Sequence, residues 1–144
     1  MLPLFRSAIL SQSRAVVSKR VLVMPILRYN STSSSYETVK KLNELTELTK
    51  IIDEKSSNRK LSVIDFYATW CQPCKAMSPI ITKLMNEHPD VNFYKVDVDE
   101  SPSLAQHCNV SAMPTFVLTK DGAIADTIVG ANPSALKKSI TDLK

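Results

Sequence analysis

Two cysteines, Cys71 and Cys74, stand three positions apart. On a helix that spacing puts both thiols within one turn, where they can close a small disulfide. The stretch before them, Val63-Ile64-Asp65-Phe66-Tyr67, is mostly apolar, β-branched and aromatic, which reads as a strand buried on both faces. The stretch after them, Lys75 to Glu87, carries Met77, Ile80, Ile81, Leu84 and Met85 at helical spacing. Pro73 falls where a helix begins and its missing N–H is harmless. The thiols therefore sit on a strand-to-helix junction. Cys71, at the first turn, meets unpaired N–H groups and the positive helix end, both of which favour the thiolate. Cys74 lies deeper in the helix and is expected to be shielded. This order predicts that Cys71 attacks a substrate disulfide and Cys74 resolves the mixed disulfide. Half of a zinc site is the alternative, but the remaining cysteine, Cys108, stands beside His107 without the spacing such a site needs, so no metal is expected.

Asp65 is the second candidate. A carboxylate inside an apolar strand is costly unless paired, hydrogen-bonded or protonated, although an edge position facing water would relieve it. Below the cysteine helix it could take the proton from Cys74 as that thiol attacks. Lys95, which also interrupts an apolar strand, is the candidate cationic partner; an ordinary edge lysine is the alternative. Asp97, Asp99 and Glu100 lack the glycine and terminal ligand of a calcium loop. Cys108 reads as a small buried hydrophobe, with a regulatory thiol as the minor reading. His88 and His107 have no triad partners and are expected to be exposed.

The elements that must position these groups follow from the 144 residues. Charge divides the chain. Residues 1–36 hold five basic residues and no acidic one, leaving 13 basic and 14 acidic, a formal charge of −1, in the rest. The body therefore has no basic patch for nucleic acid. The first segment is basic, Ser-rich and free of acid, with Leu4, Phe5, Ala8, Ile9, Ala15 and Val16 able to share one helical face, the pattern of a mitochondrial transit peptide. The rival secretory reading needs Val21 to Leu27 as its hydrophobic region, which is short and contains Pro25. An untargeted tail is the third reading. Membrane spanning is excluded by the same shortness. The expectation is a transit peptide and linker over residues 1–35, cleaved between Arg28 and Ser35 in mitochondria (the matrix), and one domain over 36–144.

In that domain Thr38 and Val39 suggest a short strand, and Asn43 a helix cap ahead of Leu45, Leu48, Ile51 and Ile52. Ser56 to Lys60 reads as a polar turn. The cysteine helix breaks at His88-Pro89, Val91 to Val98 is a strand, and Ser101-Pro102 opens a short helix. Thr115–Thr119 and Ala123–Val129 form a hairpin around Asp121-Gly122. Asn132-Pro133 opens a last helix with Leu136, Ile140 and Leu143. The order β-α-β-α-β-α-β-β-α predicts an α/β fold with a mixed sheet, parallel early and antiparallel at the terminal hairpin.

Val-Ile-Asp-Phe-Tyr-Ala-Thr-Trp-Cys-Gln-Pro-Cys-Lys, Lys-Val-Asp-Val-Asp-Glu, Ala-Met-Pro-Thr-Phe and Val-Gly-Ala, in this order and spacing, resemble the thioredoxin family from about Val39 to Lys144. The resemblance implies the thioredoxin fold, a central mixed β-sheet flanked by helices on both faces, and reversible dithiol–disulfide exchange with proteins. It implies Cys71 as nucleophile, Cys74 as resolving cysteine, Asp65 as the buried acid and Lys95 as the lysine near it. Trp70, Gln72, Pro73, Met113, Pro114 and Gly130 would meet the substrate, Pro114 through a cis bond and Gly130 by leaving room for approach; a core tryptophan, a trans proline and a strand-ending glycine are the bland alternatives. Pro79 matches the proline that kinks the active-site helix. The resemblance further implies no bound cofactor, NADPH used indirectly through thioredoxin reductase, that reductase and disulfide-containing proteins such as peroxiredoxins as partners, and a monomer. One departure is Gln72, where the family usually has glycine. An oxidase or isomerase of the secretory pathway and a structural subunit of the same fold are the competing functions.

Overall fold

The computed structural model describes residues 35–54 and 60–144. The candidate transit segment, apart from Ser35, and the Ser56–Lys60 turn, apart from Lys60, lie outside the described residues.

The described chain opens with a 3-10 turn, Tyr36–Thr38, followed by strand β1 at Lys40–Lys41. The strand expected at Thr38–Val39 is thus displaced by the turn, whose Thr38 hydroxyl binds back to the Ser35 carbonyl at 2.8 Å. Helix α1 spans Leu45–Asp53 and buries Leu48 and Ile52. Asn43 does not cap it. Glu44 occupies the cap position, makes no side-chain cap bond, and leaves Leu45 largely exposed rather than on the packed face. Strand β2, Ser62–Tyr67, leads into helix α2, Gln72–Glu87. Strand β3 is Asn92–Asp97, helix α3 Pro102–His107, strands β4 and β5 Thr115–Lys120 and Ala123–Val129, and helix α4 Pro133–Leu143.

The sheet order is β1-β3-β2-β4-β5. β3 pairs parallel with both β1 and β2, whereas β4 pairs antiparallel with β2 and β5. The sheet is mixed as expected. Asp121 and Gly122 both have positive φ, 56° and 81°, as a two-residue primed turn demands.

Strand parity assigns the two layers. Val63, Phe116 and Leu118 pack with Met77, Ile81 and Leu84 of α2 and Leu136 and Ile140 of α4. Ile64, Phe66, Val96 and Val117 face the other way, onto Leu48 and Ile52 of α1 and Leu104 and Cys108 of α3. Phe66 and Phe116 are fully buried, on opposite faces of the sheet, and each contributes about 1.5–3 kcal/mol of burial. Asp65 shares the parity of Val63, so it points to the α2 face, below the helix that carries the cysteines. Among the described residues no helix is long and apolar enough to cross a membrane.

Candidate active site

Cys71 and Cys74 form a disulfide, with their Cα atoms 5.3 Å apart. α2 begins at Gln72, one residue ahead of Pro73, so Cys71 is its N-cap rather than part of its first turn. Its backbone is extended, and its Sγ accepts the N–H of Cys74 at 3.2 Å. A sulfur thus occupies the capping position that an oxygen usually fills. The expected contrast in exposure is absent: Cys71 is 4% exposed and Cys74 5%. What distinguishes them is position. Among the described residues only Cys71 receives a helix N–H on its sulfur, and that donor favours the thiolate when the bond is reduced. Pro73 sits in the first turn without disturbing this donor, and both Gln72 and Pro73 are exposed. Pro79 lies inside α2, where its missing N–H removes one rung of the helix ladder.

Around the disulfide pack Ala68, Tyr67, Val98 and Met113. The Met113–Pro114 peptide bond is cis. The Pro114 carbonyl accepts the N–H of Gly130 at 2.7 Å, and the Thr115 hydroxyl donates to the Ala112 carbonyl at 2.7 Å, fixing the loop that presents Met113. Gly130 has φ +89°, which disfavours any side chain there. A Cβ on it would meet no atom within 4 Å, so the space in front of this glycine is open.

Trp70 is 63% exposed, which removes the core reading. Its Nε1 donates to Asp99 Oδ2 at 2.9 Å, and Asp97 Oδ1 in turn accepts the N–H of Asp99 at 3.1 Å. Lys41 binds Glu100 at 2.5 Å and lies 3.8 Å from Asp97. The acidic run after β3 therefore orients the tryptophan and neutralises a lysine. Asp99 has this role without any sign in its spacing.

Asp65 is 4% exposed, so the edge reading fails. Its Oδ2 accepts the hydroxyl of Tyr36 at 2.7 Å, while Oδ1 is buried with no partner. Lys95 stands in register with Asp65 on β3. No direct ion pair forms between them among the described residues. The Lys95 ammonium donates instead to the Tyr36 carbonyl at 3.1 Å and lies 4.8 Å from the centre of the Tyr36 ring. Burial pushes the Asp65 carboxyl up to about 7, against the Tyr36 hydrogen bond and the Lys95 charge, which pull it down. Burial and the nearby Asp65 charge push the Tyr36 phenol well above its ordinary range. Tyr36 was not among the candidate residues, and nothing in its neighbourhood in the sequence signals that it reaches Asp65.

A cleft of about 250 Å³ beside Cys74 is lined by Tyr36, Tyr67, Ala68 and Ser78, among others. A larger cavity, about 500 Å³ between Lys40, Pro89 and Tyr94, holds no cysteine, histidine or carboxylate and is remote from this chemistry. Cys108 is buried, and burial pushes its thiol up to about 11. His107 is exposed, but His88 is half-buried at the end of α2 with its Nε2 unpartnered, contrary to expectation.

Comparison with known proteins places this geometry. Residues 43–142 match the family model described as Thioredoxin. The chain is 55% identical over 124 residues to "Thioredoxin-3, mitochondrial" of Saccharomyces cerevisiae, covering 86% of this chain and 94% of that one. The crystal structure of oxidized mitochondrial thioredoxin 3 from the same yeast matches with a TM-score of 0.70 at 55% identity, over 76% of this chain and 99% of the other. A chain from structural work on thiol resolution in yeast mitochondrial 1-Cys peroxiredoxin via glutathione/thioredoxin systems matches with a TM-score of 0.71 at 54% identity, over 76% and 99% of the two chains.

Proposed function

The chain belongs to the thioredoxin family, and from that premise we propose that it works in mitochondria as a protein-disulfide reductase in which Cys71 attacks and Cys74 resolves. It is a dithiol–disulfide oxidoreductase, and its redox pair is Cys71–Cys74. One observation carries the assignment of roles: the Cys71 sulfur caps α2 and accepts the Cys74 N–H.

In the reduced protein that donor and the helix end favour the Cys71 thiolate, the species that attacks a disulfide. The Cys71 sulfur bonds to one substrate sulfur, and the other leaves with the bonding pair and takes up a proton. Asp65, as carboxylate, accepts the proton of Cys74, whose sulfur then attacks Cys71 and releases the second substrate thiol. Two electrons pass to the substrate, and the protein ends as the disulfide. Trp70, Gln72, Pro73, Met113, Pro114 and Gly130 border the reacting sulfurs in this reading and receive an extended substrate chain. Lys95 acts on Asp65 through its charge.

Thioredoxin reductase restores the dithiol with electrons from NADPH, which this chain does not itself bind in this reading. Peroxiredoxins are a substrate class favoured by the solved relative studied with a 1-Cys peroxiredoxin. The basic, acid-free first segment and the mitochondrial relative together support import to the matrix. The protein acts as a monomer.

The test is insulin reduction coupled to thioredoxin reductase and NADPH. The wild-type chain turns over repeatedly. Cys71→Ser is inactive and forms no adduct, whereas Cys74→Ser accumulates substrate mixed disulfides on non-reducing gels. Normal turnover by Cys74→Ser, or adducts on Cys71→Ser instead, would reverse the assignment.

A further inference from the structure

Tyr36, in the 3-10 turn, is held through both its backbone and its side chain by α2, β2 and β3. Its N–H donates to Thr82 Oγ1 of α2 at 3.1 Å, and its carbonyl accepts Lys95 Nζ of β3 at 3.1 Å. Its ring meets Tyr67 edge-on, with centroids 6.2 Å apart and planes at 77°, and carries the Lys95 ammonium on its face. These contacts direct the hydroxyl onto Asp65 Oδ2 at 2.7 Å. The Asp65 carboxyl then has one oxygen occupied and one, Oδ1, free in the interior. Lys95, held on the Tyr36 carbonyl, is kept from forming a direct ion pair with the carboxyl.

We propose that Tyr36 is a positioning residue of the exchange reaction, whose hydroxyl fixes and stabilises the Asp65 carboxylate so that Oδ1 is the oxygen that takes the Cys74 proton. This rests on the reading of Asp65 as the acceptor of that proton. The electron count is that of the resolution step: the Cys74 proton goes to Oδ1, the Cys74 sulfur pair forms the bond to Cys71, and the Cys71–substrate bond breaks with its pair on the substrate sulfur. The titratable groups acting on Asp65 are Tyr36 from the turn, Lys95 from β3 and Tyr67 from its own strand, and the cysteine pair lies at the start of α2, the helix packed on this face of the sheet. β4 presents Phe116 in register, which does not titrate.

A donor on the carboxylate favours its ionised form, so removing that donor must shift ionisation to higher pH. The experiment is single-turnover reaction of the reduced full chain with dithiobis(nitrobenzoate). Release of the first thionitrobenzoate reads attack by Cys71, and release of the second reads resolution by Cys74. Tyr36→Phe keeps the ring and the backbone contacts and removes only the hydroxyl. It should move the pH limb of the second release up by about one unit and slow that step roughly fivefold at neutral pH, leaving the first release unchanged. Asp65→Asn should remove this limb and leave only the ionisation of the attacking thiol itself. If Asp65→Asn removes it and Tyr36→Phe leaves it in place, the proposal for Tyr36 is overturned and the Asp65 reading stands. A limb unmoved in Asp65→Asn overturns both.

Discussion

The chemistry turns on where two sulfurs stand relative to one helix end. Equal burial of Cys71 and Cys74 means that solvent access does not separate nucleophile from resolver. In the proposed assignment of roles, the donor on Cys71 does. Gln72 is exposed at the first helical position, and among the described residues its side chain makes no hydrogen bond to either sulfur. Its influence on the redox pair is therefore limited to what its amide can offer the thiolate after reduction. One neutral, exposed hydrogen bond contributes about 1 kcal/mol, which corresponds to less than roughly 30 mV for two electrons. Redox equilibration with glutathione should accordingly place Gln72→Gly within that interval of the wild type, with both proteins reductants. A wild-type potential near that of secretory oxidants, restored by the glycine, would favour the oxidase function instead.

Helix ends decide how the elements serve the site. α2 is capped by the reacting sulfur itself, so oxidation and reduction act directly on a cap. α4, which packs behind α2 in the same layer, is capped conventionally: Asn132 Oδ1 accepts the N–H of Ala135 at 3.0 Å, and Pro133 follows at the first position. Asn132→Ala should cost about 1 kcal/mol, read as a lower urea midpoint with unchanged slope, and should leave insulin reduction intact because α4 touches neither sulfur nor Asp65. Loss of activity without loss of stability would mean that α4 bears on the site by a route other than packing. The sequence marks this cap correctly but misplaces the one before α1: Asn43 has the capping chemistry, yet Glu44 holds the N-cap position and makes no side-chain cap bond.

At the scale of the molecule, Asp65 links the active site to global stability. Its folded carboxyl, raised by burial to about 7 from 3.8, holds a proton in a range where the unfolded chain has lost it. The native state then binds more protons than the unfolded state, so stability is highest below the unfolded value and falls as pH rises through the folded one. Asp65→Asn removes that dependence. In urea unfolding, the variant's stability relative to wild type should improve by on the order of 2–4 kcal/mol between about pH 4 and about pH 8. A constant difference across that range would show that Asp65 does not change its proton affinity on folding.

What the sequence determines by itself is what lies close along the chain. The strand-to-helix junction, the Cys71–Cys74 spacing, the Asp121-Gly122 hairpin and the order of elements are local patterns of period, turn chemistry and capping, and they suffice for an α/β chain with a mixed sheet. Lys95 is a candidate partner of Asp65 from its own place in an apolar strand, and the resemblance of the quoted motifs to one family adds the substrate-facing residues, but not their contacts. Tertiary structure alone decided that Asp65 points beneath α2, that Lys95 stops at the Tyr36 carbonyl, and that Asp99 holds Trp70. The reason is physical: parity fixes which side of a strand a residue takes, whereas which residue meets it there depends on packing between elements far apart in the chain. Tyr36 and Asp65, 29 residues apart, are joined only because the first turn folds back over α2 and β3.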